Sequence, residues 1–305
     1  MSAYVALINR EFLEHRGAFL WAAGILLALI VLAGIMVLQA DAVVSGELTH
    51  EERSELLEKL GDERDVGGLE ALVAMGLDVA GSTDAELDQK MAMFMAVIAT
   101  PFHWLFVAIA FFALIACLHD ERKDQSVLWW KSMPVSDTAT VLSKWAFVAL
   151  AAPLITVVAV WLAQLFSLLV SMAFVEDGMG GRVWAASGIF SYPFRMLFGY
   201  LLYSLWVLPV AAWIMLVSVA APKVPLLWAV GIPWVLVLLE RILFDTSTLG
   251  RAIGEHVFPF PMPFTSGEER MTFSLFGQAT FWIGLLVGGA FLYATVLLRG
   301  RNNTI

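Results

Sequence analysis

The stretch WAFVALAAPLITVVAVWLAQLFSLLVSMAFV, Trp145 to Val175, contains no Asp, Glu, Lys or Arg. A helix that crosses a bilayer needs about 20 predominantly apolar residues, so this run is long enough to span. Pro153 lies inside it and removes one backbone hydrogen bond, which predicts a kink. The same charge-free character recurs at Gly17–Ala40, Met91–His119, Met196–Pro222, Val224–Leu239 and Met271–Leu298, and Pro209 and Pro233 predict kinks in two of these runs. The run from Val224 is the shortest, and the Glu240-Arg241 pair that follows it is expected at the membrane interface. The chain is 60% hydrophobic and 15% charged, against about 45–50% and about 25% in ordinary soluble domains. These runs predict an all-α integral membrane protein with six transmembrane helices.

The organisation read from them is an amphipathic interfacial helix at 1–16 and spans at 17–40, 91–119, 137–175, 193–222, 224–241 and 271–298. Between the spans lie an acidic segment (41–90), a polar loop with a short helix (120–136), an outer loop (176–192) and an interfacial or re-entrant stretch (242–270). A tail at 299–305 closes the chain. In the first 16 residues Val5, Ile8 and Phe12 share one helical face, as in helices that rest in the interface plane. Residues 40–42, Ala-Asp-Ala, match a signal-peptidase pattern. The preceding apolar stretch is too long for a signal peptide, whose apolar region is about 7–15 residues, so the first span is expected to be retained.

Charge is unevenly spread. Asp41–Lys90 holds 14 acidic and 4 basic residues, a balance of −10 within a chain of net charge −9. Such a segment argues against nucleic acid, whose phosphates demand Lys and Arg, and predicts a small solvated unit outside the membrane. Thr49 and Glu52 make a capping-box pattern ahead of Leu56, Leu57 and Leu60, and GGLEALVAMG predicts a second short helix. Farther on, Ser82 is the expected start of the helix entering the second span, without a complete capping box, and Asp84 and Glu86 suit its first turn. Ser136 is the expected N-cap of the third span, with Asp137 in its first turn. With six spans both termini share a side. That side carries Arg10, Arg16, Arg122, Lys123, Lys131, Lys144, Lys223, Arg299 and Arg301, which places it in the cytosol by the bias of Lys and Arg in short loops. Three alternating prolines in GEHVFPFPMPF exclude a regular helix there, and Phe258, Phe260 and Phe264 suit the headgroup level.

Several chemistries are missing. No Gly-Lys dipeptide occurs, so no P-loop for ATP exists. The one cysteine, Cys117, allows no intramolecular disulfide and no cysteine metal cluster. HEERS at His50 lacks the second histidine of a zinc protease motif. His103 is the main ionisable residue inside a span. It is expected to be a helix-end histidine bonded to a carbonyl or headgroup, and Arg195 is expected to snorkel. No catalytic, cofactor-binding or metal-ligating residue is expected.

Attention therefore falls on DERKDQSVLWWKSMPVSDTATVLSKW, residues 120–145. SVLWWKSM is long enough for about two helical turns, and Pro134 ends them near Met133. Trp129, Trp130 and Met133 form an apolar knob flanked by charges. Tryptophan is enriched at interface hot spots, and it equally serves as a membrane-surface anchor. Glu121, Arg122, Ser126, Leu128, the Pro134-Val135-Ser136 turn and Lys144 resemble the loop after the second span of ABC-2 type transporter permeases. Gln125 departs from the glycine common there. NREFLEHRGAFLW is similar to the family's entry into span one. The resemblance implies a permease in a bacterial cytoplasmic (inner) membrane, paired with a second permease copy, identical or paralogous, in contact with membrane lipids. ATP and Mg²⁺ would then be held by separate ATPase subunits, and the cargo would be an exported hydrophobic or amphipathic molecule. It implies that Ser126, Val127, Leu128, Trp129, Trp130, Lys131, Met133 and Pro134 form the coupling element on the ATPase. The rival readings are an ion-coupled secondary transporter built on His103, and a membrane-embedded enzyme or sensor using the acidic segment.

Overall fold

A computed structural model describes residues 13, 16–36, 82–124, 135–175, 178–257 and 275–301. The interfacial helix expected over 1–16, the acidic segment up to residue 81, the coupling residues Ser126–Pro134 and the proline-rich stretch after residue 257 lie almost wholly outside the described residues. Every regular element among the described residues is helical.

α1 is Arg16–Met36. α2 (Asp84–Ala116) and the short α3 (His119–Lys123) make one apolar unit of 40 residues. α4 (Asp137–Ala146), a π-helical turn (Phe147–Ala151) and α5 (Ala152–Ser171) make another of 35 residues. α6 (Gly180–Ser187), α7 (Tyr192–Trp206) and α8 (Leu208–Ala220) follow, then α9 (Pro225–Phe244), α10 (Thr248–Val257) and α11 (Ala279–Arg301). Five units are long and apolar enough to cross a membrane, and the stretch from α6 to α8, bent by 59°, makes a sixth if it is one broken span. Helices α6 and α10 fall in stretches 176–192 and 242–270, which the sequence presents as connections.

Helix starts follow local chemistry. Thr83, not Ser82, caps α2: its Oγ1 accepts from the Glu86 amide at 3.3 Å, and the Glu86 carboxylate accepts from the Thr83 amide at 2.8 Å. That is a complete capping box, one residue later than the sequence expectation. Ser82 instead accepts from Lys90 Nζ at 2.8 Å. Ser136 caps α4 as expected, its Oγ accepting from the Ala139 amide at 3.1 Å. Glu240, near the end of α9, accepts from the amides of Thr248 at 2.8 Å and Leu249 at 2.9 Å, satisfying two orphan donors at the start of α10.

The prolines explain the breaks and some of the cross-links between helices. Pro209 has no N–H for the carbonyl of Leu205, and the chain abandons helix at Val207, where α7 gives way to α8. Pro153 follows the π-helical turn and leaves the carbonyl of Ala149 without its usual donor; Ser204 Oγ of α7 lies 3.3 Å from it and shares its one proton between that carbonyl and the Tyr200 carbonyl at 2.8 Å. Pro233 stays inside a continuous α9, and the carbonyl of Ala229 that it orphans accepts from Trp213 Nε1 of α8 at 3.0 Å. In hydrocarbon no water covers such groups, so a neighbouring helix has to.

Two apolar cores result. One gathers α2, α5, α6 and α7 around Phe102, Phe147 and Tyr200, with Phe19 of α1 inserted. The other joins the end of α2 to α8, α9 and α11 around Val141 and Met215. α8 and α11 make the most extensive helix pair. Gly288 permits it: a Cβ there would stand 2.6 Å from Leu208 Cγ and 3.0 Å from the Pro209 nitrogen. α1 and α9 bury almost nothing within the chain, and their exposed surface is apolar.

The Trp213–Ala229 bond yields a double-mutant test. Trp213→Phe keeps the ring beside Phe291 but removes the donor, and should destabilise the detergent-solubilised protein by about 0.6–2 kcal/mol. Pro233→Ala gives Ala229 its own intrahelical donor, so in that background the cost of Trp213→Phe should fall close to zero. Thermal unfolding of the four proteins checks this, and an equal cost in both backgrounds refutes it.

Candidate functional site

The two ends of the stretch 125–134 are held by buried polar groups, and these build the site. On the upstream side, α3 carries Glu121 and Arg122. On the downstream side, Ser136 starts α4, which carries Asp137 and Lys144 seven residues apart, two turns along one face. The fourth element is the last turn of α11, with Arg299.

Glu121 is 6% exposed, Lys144 3% and Arg299 4%, which makes this a charge cluster in the interior rather than a solvated face. Lys144 Nζ lies 3.0 Å from Glu121 Oε1, and one Arg299 Nη lies 3.4 Å from Glu121 Oε2. The other Nη of Arg299 pairs with Asp137, which is partly exposed. Two carboxylates and two cations therefore neutralise each other across α3, α4 and α11. Removing ions from water costs several kcal/mol each, and the Coulomb gain offsets this only when every partner is in place. Loss of one member of such a set commonly costs about 3–5 kcal/mol, because it strands a buried charge.

A second set of bonds fastens α3 to α8. Ser218 Oγ accepts from the amides of Leu118 at 3.1 Å and His119 at 3.0 Å. Arg122 donates to the carbonyl of Val219 at 2.8 Å and to that of Ala221. Its other contact, His119 Nδ1 at 3.2 Å, makes that nitrogen the acceptor, since guanidinium only donates. Arg122 thus covers carbonyls at the C-terminus of α8, where a cation is also favoured by the helix dipole. Lys123 and Asp124 beyond it are exposed.

Sequence reasoning singled out Glu121, Arg122, Ser136 and Lys144, and the structure brings all four to this base. It treated Arg299 only as one of several basic residues on a shared side, and Asp137 only as a helix-start residue. The available signal was positional: Lys144 and Arg299 each stand at the edge of a long charge-free run. Ser126, Val127, Leu128, Trp129, Trp130, Lys131, Met133 and Pro134 lie outside the described residues.

His103 is not at a helix end. It lies well inside α2, is 2% exposed, and packs against the rings of Tyr200 and Tyr203 at centroid distances of 5.8 and 5.7 Å. The tyrosines sit three residues apart on α7 and so share its inner face. Arg195 is exposed, with its guanidinium donating to Ser191 Oγ at 3.0 Å. Cys117 is buried and contacts the carbonyl of Leu114, as a small core side chain does. No group of three or more His, Cys, Asp or Glu among the described residues is arranged to hold a metal ion. An apolar cavity of about 130 Å³ adjoins the π-helical turn and the break at Val207, lined by Phe106, Trp145, Val148, Tyr203 and Ile214 among others.

No protein-family model, curated protein or solved structure matches this chain.

Proposed function

We propose that the chain is the membrane-spanning permease subunit of an ABC-2 type ATP-binding cassette transporter, exporting a hydrophobic or amphipathic molecule and driven by a separate ATPase docked on residues 126–134. The observation that carries this reading is the base under that stretch. A loop that merely connects two spans needs no interior charges at its ends. Here buried Glu121, Lys144 and Arg299 pair with one another and with partly exposed Asp137, and Arg122 grips the end of α8. A push on the stretch would be delivered to four helices together instead of being absorbed by loop flexibility. Three of the residues that resemble the ABC-2 loop, Glu121, Arg122 and Lys144, take part in this base.

In this mechanism ATP supplies energy only in the partner. The chain's own part is to receive a movement and convert it into a change in helix packing. The break at Val207 and the π-helical turn, where helical hydrogen bonding is already interrupted, are the places where packing changes at least cost. Nucleotide biases the equilibrium only as far as the ATPase binds the two arrangements differently. Both termini and residues 120–136 face the cytosol, residues 41–90 face outward, and a second permease copy completes the transport path.

Three measurements test this reading. Topology comes first: in a Cys117→Ala background, a cysteine replacing Ser54 should react with an impermeant thiol reagent in intact cells. Reaction only after the membrane is broken reverses the orientation. The ion-coupled alternative is separated by His103→Gln, which should leave transport largely intact because the apolar run that carries His103, Met91–His119, holds no Asp, Glu, Lys or Arg. Complete loss of transport, with normal insertion and assembly, would revive that alternative.

The third concerns the two tryptophans. Truncating hot-spot residues commonly costs about 2 kcal/mol or more, which is roughly thirtyfold in affinity. Trp129→Ala/Trp130→Ala should therefore insert and pair normally but lose the ATPase on purification. If the rings only anchor the loop at the membrane surface, variant and parent should retain equal amounts of ATPase.

A further inference from the structure

Arg299 lies at the far end of the chain from the stretch 125–134, yet it touches both sides of its base. Its guanidinium forks between Glu121, four residues upstream of that stretch, and Asp137, just downstream of it. Lys144 reaches Glu121. A guanidinium presents paired donors in a fixed plane, so its two contacts hold their partners at a set spacing, which a flexible ammonium does not.

Arg299 stands in the last turn of α11, an unbroken helix of 23 residues, which is about 34 Å long. The other half of that helix makes two contacts without slack. Gly288 lies against Leu208 and Pro209 at the break between α7 and α8, where an added Cβ would meet Leu208 Cγ at 2.6 Å. Gly284 lies against His256 in the last turn of α10, where an added Cβ would stand 2.5 Å from Nε2. His256 is itself held by the stacked ring of Trp206, at 5.1 Å, and Trp206 Nε1 donates to the Glu255 carbonyl at 2.8 Å. Gly284 and Arg299 are separated by about 22 Å along the helix. α11 is thus clamped at one end to the loop base and at the other to the helix break and α10.

We infer that Arg299 is the residue that links the base of the 125–134 stretch to α10, with α11 as the rod between them. A displacement of α3 and α4 acts on the guanidinium, moves α11, and reaches Leu208 and His256 because the glycine contacts leave no gap to take up the movement. This deepens the transporter reading and rests on it for its purpose. The physical link between Arg299 and α10 stands or falls separately. Arg299 acts here as a positioning residue.

The test is hydrogen exchange of the full chain in phosphatidylethanolamine–phosphatidylglycerol nanodiscs. It compares the parent, Arg299→Gln, Arg299→Lys and the charge-balanced Glu121→Gln/Arg299→Gln. Arg299→Gln should speed exchange in residues 248–257 by about tenfold, in addition to the local rise at 118–124 and 135–140. Arg299→Lys keeps the charge but not the fork, and should give a rise of about threefold or less at 248–257. A rise confined to the base, with 248–257 unchanged, overturns the inference. If Arg299→Gln is not recovered folded, the charge-balanced variant is read in its place. Failure of both to fold would make Arg299 a folding residue and overturn the inference equally.

The same variants are then purified with the partner ATPase. Arg299→Gln should retain it but lose the change in exchange at 248–257 that MgATP with vanadate produces in the parent. Undiminished change in Arg299→Gln overturns the inference. A parent that holds no ATPase sinks the transporter reading, while the first set of exchange measurements still decides the link between Arg299 and α10.

Discussion

The Glu121 carboxylate is the point on which this architecture turns. It is buried, and it is met by a lysine from α4 and an arginine from α11. Inside a protein the cost of holding a bare carboxylate exceeds any local preference of the chain, so the positions of α3, α4 and α11 must be the ones that bring both cations within reach. Asp137 pairs with the second cation. Arg122, the next residue, faces α8 and covers its terminal carbonyls. Two adjacent charged residues thereby tie the same short helix to three others.

The remainder of the bundle obeys a second constraint, that backbone polar groups at apolar depth need partners. Prolines break that condition wherever they interrupt a helix. At Pro153, Pro209 and Pro233 the chain answers with a side chain from elsewhere or with a change in the helix. Ser204 covers Ala149 and Trp213 covers Ala229, while Pro209 coincides with an outright break. These bonds join α7 to the π-helical turn and α8 to α9. The irregularities are consequently part of what holds the helices together. An apolar cavity adjoins two of them.

Glycine contacts set how closely the last span approaches the others. Gly288 and Gly284 lie one turn apart on α11, and both receive side chains that would collide with a Cβ. Close approach of this kind makes van der Waals packing the main attraction between helices in an apolar medium, where burial from water contributes little. α1 makes one such contact, Gly34 against Phe166 of α5, but α1 and α9 keep most of their apolar surface outward, as helices surrounded by lipid do.

Much of this is local and therefore readable from residue order. Runs without charge mark the long apolar helices, because one ionised side chain in hydrocarbon is costly wherever it falls. Ser136 caps its helix because a hydroxyl beside free amides needs no tertiary help. Pro209 could be marked as an interruption for the same reason, whereas Pro233 stays inside a continuous helix. The start of α2 shows the limit of such reading. Ser82 and Thr83 are both good caps, and only Thr83 stands three residues before Glu86. His103 shows it more sharply: its ring partners come from a helix nearly a hundred residues later. By itself, then, the sequence determined that the chain is built of long apolar helices, and that charged residues stand at their ends. Only the tertiary structure decided which of those charges meet, which carbonyl each polar side chain covers, and that Arg299 joins residues on either side of the distant stretch 125–134. Those outcomes depend on distances between elements far apart in the chain, and no local pattern of residues encodes them.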